Sequence, residues 1–200
     1  MEKDDKRIPE QKTGASSNVG HSVDAKNRQE AERIYNGAKA NLLNINRWHE
    51  FAGKLSATFQ LTDVNSARPV QRPPAPGDYI SIHLPTSSED KLDWVRIEKI
   101  EENEPEHGDR SLLIQVRPTD PPDVNKETEH FFSDDATSSF IVELKDTIVS
   151  AMVCGRNELP NTEAEGLTDK IRNVAIAIGA MLGLNAPQWK ALTKGLIENA

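Results

Sequence analysis

The hydrophobic period of this chain changes twice, and that pattern constrains the fold more than any other feature. Up to about residue 53, apolar residues recur every three or four positions, as on one face of a helix. Over 56–154 they alternate with polar residues, as in strands that have one solvated face. The helical period returns over 168–198. Helices therefore flank a section made of strands, which indicates an α+β fold.

Six short strands are predicted in the middle section. Ala57, Phe59 and Leu61 show the pattern, because alternate residues of a strand share one face. The six segments are 56–62, 79–84, 94–100, 112–117, 139–145 and 147–154. The last two are separated only by a very short turn, which predicts a hairpin. The alternation indicates an antiparallel sheet of about six strands, strongly bent or barrel-like, with one face packed and one face solvated.

Two helices are predicted before the sheet and two after it. Apolar residues form one stripe between Ala31 and Leu42, and a short helix follows from Asn44 to Gly53. Behind the sheet, a stripe over 171–182 predicts a third helix that ends at Gly183. A fourth helix begins near Pro187, a residue type suited to the first turn.

Residues 1–25 are predicted to form a flexible tail. Sizeable apolar residues such as Ile8 and Val23 are sparse there, too few to offset the entropy lost on ordering. Residues 26–200 are predicted to form a single domain, because 200 residues fit one domain of ordinary size plus a tail. Its helical parts are 26–53 and 168–198, and its strands lie within 56–154.

The order of the elements is similar to that of helix-grip ligand-binding proteins, in which a curved sheet wraps around a long final helix. Here the last helical section is broken between Gly183 and Pro187, and no strand is predicted before the first helix. The segments Gly77–Ile82 and Trp94–Ile97 also resemble the opening strands of small SH3-like barrels. The first resemblance implies a curved sheet packed against helices.

Charge and composition exclude several classes of protein. The net charge of −8 and the pI near 5.2 argue against nucleic-acid binding, which leaves a basic footprint. No run approaches the roughly 18 apolar residues of a membrane span. The charged first residues do not have the pattern of a secretory signal. The single cysteine, Cys154, cannot form an internal disulfide, so we expect a cytoplasmic protein.

Sequence motifs of catalytic and cofactor sites are absent. The chain lacks GxxxxGK[ST], a GxGxxG that follows a strand, and CxxC, which hold phosphates, dinucleotides and metals or redox disulfides. His49-Glu50 is not followed by a second histidine at the metalloprotease spacing. We therefore expect no metal and no cofactor, and a non-enzymatic role is favoured although an enzyme is left open.

The leading hypothesis is an interaction module that captures a protein partner through its long loops. The segments 63–78 and 118–137 are rich in proline, and loops of more than about 12–15 residues are commonly functional. Residues 86–135 add 15 acidic and 6 basic side chains, a local charge of −9. These loops serve no predicted strand or helix, so they are the predicted interaction surface.

The alternative hypothesis is a small-molecule-binding protein, or a simple enzyme, with a pocket between the helices and the sheet. It predicts that aromatic rings and guanidinium or amide groups converge on one cavity. The candidate ligand-binding residues are Trp48, Trp94, Arg96, Arg117, Arg156 and Asn157. A third possibility is a homo-oligomer that pairs through the C-terminal helices.

The corner Gly155-Arg156-Asn157-Glu158 follows the last strand and has two interpretations. It is either a turn in which Gly155 and Asn157 adopt unusual backbone angles, or a corner that holds an anion through Arg156.

Overall fold

A computed structural model of the chain describes residues 5–53, 57–83, 92–122, 135–158 and 187–200. In these ranges one sheet of seven strands packs against three α-helices, which confirms the α+β fold. The strands are β1 (Ala15–Asp24), β2 (Thr58–Thr62), β3 (Tyr79–His83), β4 (Asp93–Asn103), β5 (Arg110–Pro118), β6 (Thr137–Lys145) and β7 (Ile148–Glu158). The helices are α1 (Arg28–Leu43), α2 (Trp48–Ala52) and α3 (Pro187–Glu198), with a 3₁₀ turn (Ile45–Arg47) before α2.

The order of strands across the sheet is β1-β7-β6-β5-β4-β3-β2, and every neighbouring pair is antiparallel. Neighbours along the chain therefore pair with one another, except that β1 joins the last strand. All six predicted strands are confirmed, including the hairpin of β6 and β7. The order also leaves β1 and β2 at opposite edges of the sheet.

The structure differs from the predicted tail at residues 15–24, which form the strand β1. Its register with β7 runs from Ala15 opposite Glu158 to Asp24 opposite Ile148. The hydrogen bonds between the two strands therefore satisfy the backbone N–H and C=O groups of this polar segment. Val19 and Val23 pack against the core. The tail was predicted from its low apolar content. An edge strand that contributes only two valines to the core has the same low apolar content, so the sequence did not reveal it.

The sheet is strongly bent, as two aromatic contacts of Trp48 show. Phe59 on β2 and Phe140 on β6 lie four strand spacings apart, about 19 Å in a flat sheet. Both rings nevertheless contact Trp48, at centroid distances of 5.5 and 4.6 Å. The concave face of the sheet must therefore curve around the helices.

The helices cover this concave face. The buried stripe of α1 consists of Ala31, Tyr35, Ala38 and Leu42, and Asn27 caps the helix by accepting from the Glu30 N–H. The predicted helices in 26–53 and at 187–198 are confirmed, whereas the one predicted over 171–182 lies outside the described residues. None of the described helices has both the length and the apolar character needed to cross a bilayer.

The first proline-rich loop folds around one arginine. The Arg72 guanidinium donates two hydrogen bonds to the buried carboxylate of Asp78, at 2.6 and 2.9 Å, and a third to Asp63. The Ala75 N–H also donates to Asp78. Burial raises the pKa of Asp78, but Arg72 and the backbone donors outweigh burial, so this pKa lies below its ordinary value. The loop is thus built on an internal ion pair.

Replacing Arg72 by methionine is expected to lower the free energy of unfolding by about 1 to 2 kcal/mol, because the buried Asp78 loses a charge-assisted pair. Urea denaturation at pH 7 measures this loss. Arg68→Met, at an exposed arginine of the same loop, is the matched control and should be almost neutral. Equal effects of the two substitutions would show that the ion pair does not support the loop.

Candidate functional site

A cavity of about 30 Å³ lies between the concave face of the sheet and the helices α2 and α3, which leaves room for a group of a few heavy atoms. Its walls are mainly apolar. The lining residues are Trp48, Phe59, Ile80, Ile82, Val95, Val116, Pro118, Ala136, Thr137, Ser138, Phe140, Glu158 and Trp189.

Four aromatic rings of this lining form a closed cycle of contacts. Trp48 contacts Phe59 and Phe140, and Trp189 contacts the same two rings at 5.9 and 5.5 Å. The Trp48 ring is fixed further, because its Nε1–H donates to the Leu42 carbonyl at 3.0 Å. Aromatic pairs at these distances contribute beyond the area they bury. The cavity therefore has rigid, apolar walls.

A β-bulge aims one carboxyl group into this cavity. Along β7 the core-facing residues alternate through Val149, Ala151 and Val153. The alternation is interrupted at Asn157, whose φ is 55°, and the register with β1 shifts at the same place. One extra residue in a strand turns the following side chain to the other face. Glu158 therefore points to the core side, where it lines the cavity.

The environment of Glu158 favours its neutral form. Only 5% of the residue is exposed, and neither carboxyl oxygen has a hydrogen-bond partner among the described residues. Burial raises the pKa of Glu158 to about 7, and the nearby Ser17 hydroxyl and Arg156 charge lower it only in part. Ser17 is close but does not reach hydrogen-bonding geometry. The carboxyl group can thus donate or accept a proton near neutral pH.

Two more polar groups lie on this side of the sheet. The Nε1–H of Trp189 is buried and has no partner within the described part of the chain. Asp93 stands directly opposite Ile82 in the register, so the two share a face, and burial raises the pKa of Asp93 to about 6. Asp93 is not a lining residue, so the cavity itself offers the Trp189 N–H as a donor and the Glu158 carboxyl group as a donor or an acceptor. No group of His, Cys, Asp or Glu in the described ranges is arranged to hold a metal ion.

The six predicted ligand-binding residues are not brought together. Trp48 lines the cavity, but Trp94 stands opposite Ser81, on the alternate face from the cavity-lining Ile80 and Ile82. Arg96 is exposed on the same strand.

Arg117, Arg156 and Asn157 lie on the convex face of the sheet. Arg117 pairs with Glu98, its Nε lying 2.5 Å from Oε1. Arg156 donates to Asn18 Oδ1 and to the Ser17 carbonyl at the edge strand. The interpretation of the corner as a turn agrees with the backbone of Asn157, whose φ is positive.

Sequence reasoning missed Glu158, Trp189, Phe59 and Phe140 as site residues. The sequence singles out the corner Gly155–Glu158, but for the guanidinium of Arg156 rather than for the carboxyl group of Glu158. The available signal was Asn157, a residue type enriched at positive φ, followed by a carboxylate at the end of an apolar strand.

No protein-family model matches this chain, and no curated protein sequence matches it. Solved structures show similarity at low sequence identity. Norcoclaurine synthase from Thalictrum flavum, in complex with dopamine and hydroxybenzaldehyde, has 8% identity and a TM-score of 0.42, over 98% of this chain and 99% of that one. TTHA0849 from Thermus thermophilus has 11% identity and a TM-score of 0.41, over 92% and 96%.

Proposed function

We propose that the protein binds a small molecule in the cavity, through contact with the aromatic rings and hydrogen bonds to Glu158 and Trp189. The observation that carries this proposal is the Glu158 carboxyl group, which is buried in an apolar cavity with both oxygens unpartnered among the described residues. Buried polar groups are almost always hydrogen-bonded, so an exception needs an explanation.

The free-energy cost of burying the Glu158 carboxylate supports the same conclusion. A buried carboxylate without partners destabilises the fold, and a packed apolar residue in its place would not. Unfavourable groups of this kind concentrate at binding and catalytic sites, where a ligand supplies what the protein does not. A structural role for Glu158 would be expected to include a bond to the protein.

The donor set defines the class of ligand. Trp189 offers an N–H, and Glu158 offers an acceptor or, when protonated, a donor. The rings require an apolar body that can stack or pack against them. We therefore expect a compact, mostly apolar molecule with one hydrogen-bonding end, such as a hydroxyl or an amine, that reaches Glu158.

The indole N–H signals of the three tryptophans provide a direct test, in ¹H–¹⁵N NMR spectra titrated with primary alcohols from ethanol to hexanol. The Trp189 signal should shift saturably, because its N–H gains an acceptor. The dissociation constant of the alcohol should fall as its alkyl chain lengthens, until the cavity is full. Trp94 lies away from the cavity, so its signal serves as an internal control.

At pH 8, where Glu158 is ionised, Glu158→Gln should weaken alcohol binding about tenfold, since a carboxylate–hydroxyl bond is replaced by a neutral one. Glu101→Gln, at a carboxylate paired with Lys99 on β4, is the matched control and should bind like the native chain. The proposal fails if no alcohol shifts the Trp189 signal, or if both variants bind equally well.

The other hypotheses stay predictions. The interaction-module hypothesis rests on the loops 63–78 and 118–137. In the first loop the Arg72 guanidinium is held within the chain by Asp63 and Asp78, and 123–134 of the second lie outside the described residues. A protein partner, pairing through the C-terminal helices, enzymatic activity and a cytoplasmic location likewise await experiment.

A further inference from the structure

A second pocket lies on the outer, convex face of the sheet, at the ends of β5, β6 and β7. Its volume of about 470 Å³ is within the roughly 300–1,000 Å³ typical of small-molecule sites. It is lined by polar residues, in contrast to the aromatic cavity. The lining residues are Pro9, Glu10, Lys12, Thr13, Arg117, Asp135, Thr137 and Asn157, and we call this site the polar groove.

One wall of the polar groove is the N-terminal strap, residues 5–13, which Asn157 fixes to β7. The Asn157 Oδ1 accepts from the N–H groups of Lys12 and Thr13, at 2.7 and 3.1 Å. Its Nδ2 donates to the Glu10 carbonyl, and its own N–H donates to Gln11 Oε1. Four hydrogen bonds at one residue make this wall preorganised, which lowers the entropic cost of binding.

The floor of the polar groove contains a buried hydroxyl without a partner. Thr137 lines the polar groove and also the aromatic cavity, whereas Arg117 lines the groove alone. Thr137 is 2% exposed, and its Oγ1 has no hydrogen-bond partner among the described residues. A buried hydroxyl without a protein partner gains a hydrogen bond from any ligand group that reaches it.

Charges of both signs border the polar groove without pairing with each other. Glu10, Lys12 and Asp135 are exposed, and none of them forms an ion pair within the described part of the chain. Arg117 is already bound by Glu98. A ligand that carries both an ammonium and a carboxylate group would complement the two signs at once, whereas a singly charged one would meet a like charge.

We infer that the polar groove is a second binding site, for a zwitterionic small molecule of the size of an amino acid or a dipeptide. The ammonium group lies toward Asp135 and Glu10, the carboxylate lies toward Lys12, and Thr137 Oγ1 supplies a hydrogen bond. The two sites share Thr137 but are otherwise lined by different residues, so this inference does not depend on ligand binding in the aromatic cavity.

The test is a ¹H–¹⁵N NMR titration of the full chain with three probes: glycylglycine as the zwitterion, ethylammonium and acetate. Glycylglycine should shift the amide signals of Thr13, Thr137 and Asn157 saturably, with a dissociation constant in the millimolar range. The singly charged probes should bind at least about threefold more weakly, since each lacks one exposed charge contact. The Trp189 indole signal should not move.

Lys12→Ala and Asp135→Ala should each weaken glycylglycine binding about three- to fivefold and leave the melting temperature unchanged, because both side chains are exposed. Lys190→Ala, at an exposed lysine on α3, is the control and should have no effect. The absence of saturable shifts would overturn the site. Equal binding of acetate or ethylammonium would overturn its zwitterionic specificity.

Discussion

Glu158→Gln is expected to raise the free energy of unfolding by about 3 kcal/mol at pH 8 and to leave it nearly unchanged at pH 4. The folded-state pKa of Glu158 is about 7, against an ordinary value of 4.5. Between these values the folded protein holds a proton that the unfolded chain has released, so the native fold loses stability as pH rises through this window. Above pH 7 the loss is complete. Glutamine has the same shape and carries no charge, so it removes the loss.

Urea denaturation of the native chain and of the variant, at pH 4, 6 and 8, measures this difference, and the other titrating groups cancel between the two proteins. The control Glu101→Gln removes an exposed ion pair and should stay within about 1 kcal/mol of the native chain. A Glu158→Gln variant that is no more stable at pH 8 than at pH 4, relative to the native chain, would show that this carboxyl group is not buried and unpartnered.

Gly195→Ala is expected to lower the free energy of unfolding by about 2 kcal/mol. A Cβ at this position would lie 2.5 Å from the Phe51 carbonyl oxygen and 2.9 Å from its Cβ, so α2 and α3 must separate. Overpacking of this kind costs about 1 to 3 kcal/mol, more than the roughly 1 kcal/mol that alanine gains over glycine in a helix. At an exposed helix position the same substitution would stabilise, so the sign of the effect is diagnostic.

Thermal and urea denaturation measure the change, and Lys194→Ala, at the exposed neighbouring position on α3, is the matched control. The substitution should also alter the near-UV circular dichroism of the tryptophans, because Trp48 on α2 and Trp189 on α3 are joined through the same cycle of ring contacts. A Gly195→Ala variant as stable as the native chain would show that the two helices are not closely packed here.

The regular part of the fold could be predicted from the sequence because burial on one face imposes a strict period. Phe59 and Leu61 alternate with polar residues in β2, and the stripe from Ala31 to Leu42 follows the helical spacing, so both elements could be located. The strand β1 could not, since its partner β7 is more than a hundred residues away along the chain and supplies the order that its own composition does not.

The candidate site was harder to predict than the fold because it depends on which face each residue occupies. Arg156 and Glu158 are two positions apart and would share a face in a regular strand. The bulge at Asn157 puts Arg156 on the convex face and Glu158 in the cavity. A single residue at positive φ thus decides which of the two charges can meet a ligand, and periodicity alone does not show it.

The most direct test of the central claim is the pKa of Glu158 itself, measured from the pH dependence of its side-chain ¹³C carboxyl signal in the full chain. The signal is assigned by comparison with Glu158→Gln. A buried carboxyl group without partners in an apolar cavity should titrate near pH 7. A titration midpoint near 4.5 would contradict the account. It would mean that solvent or the protein already forms hydrogen bonds with the Glu158 carboxyl group, so that no ligand is needed to do so.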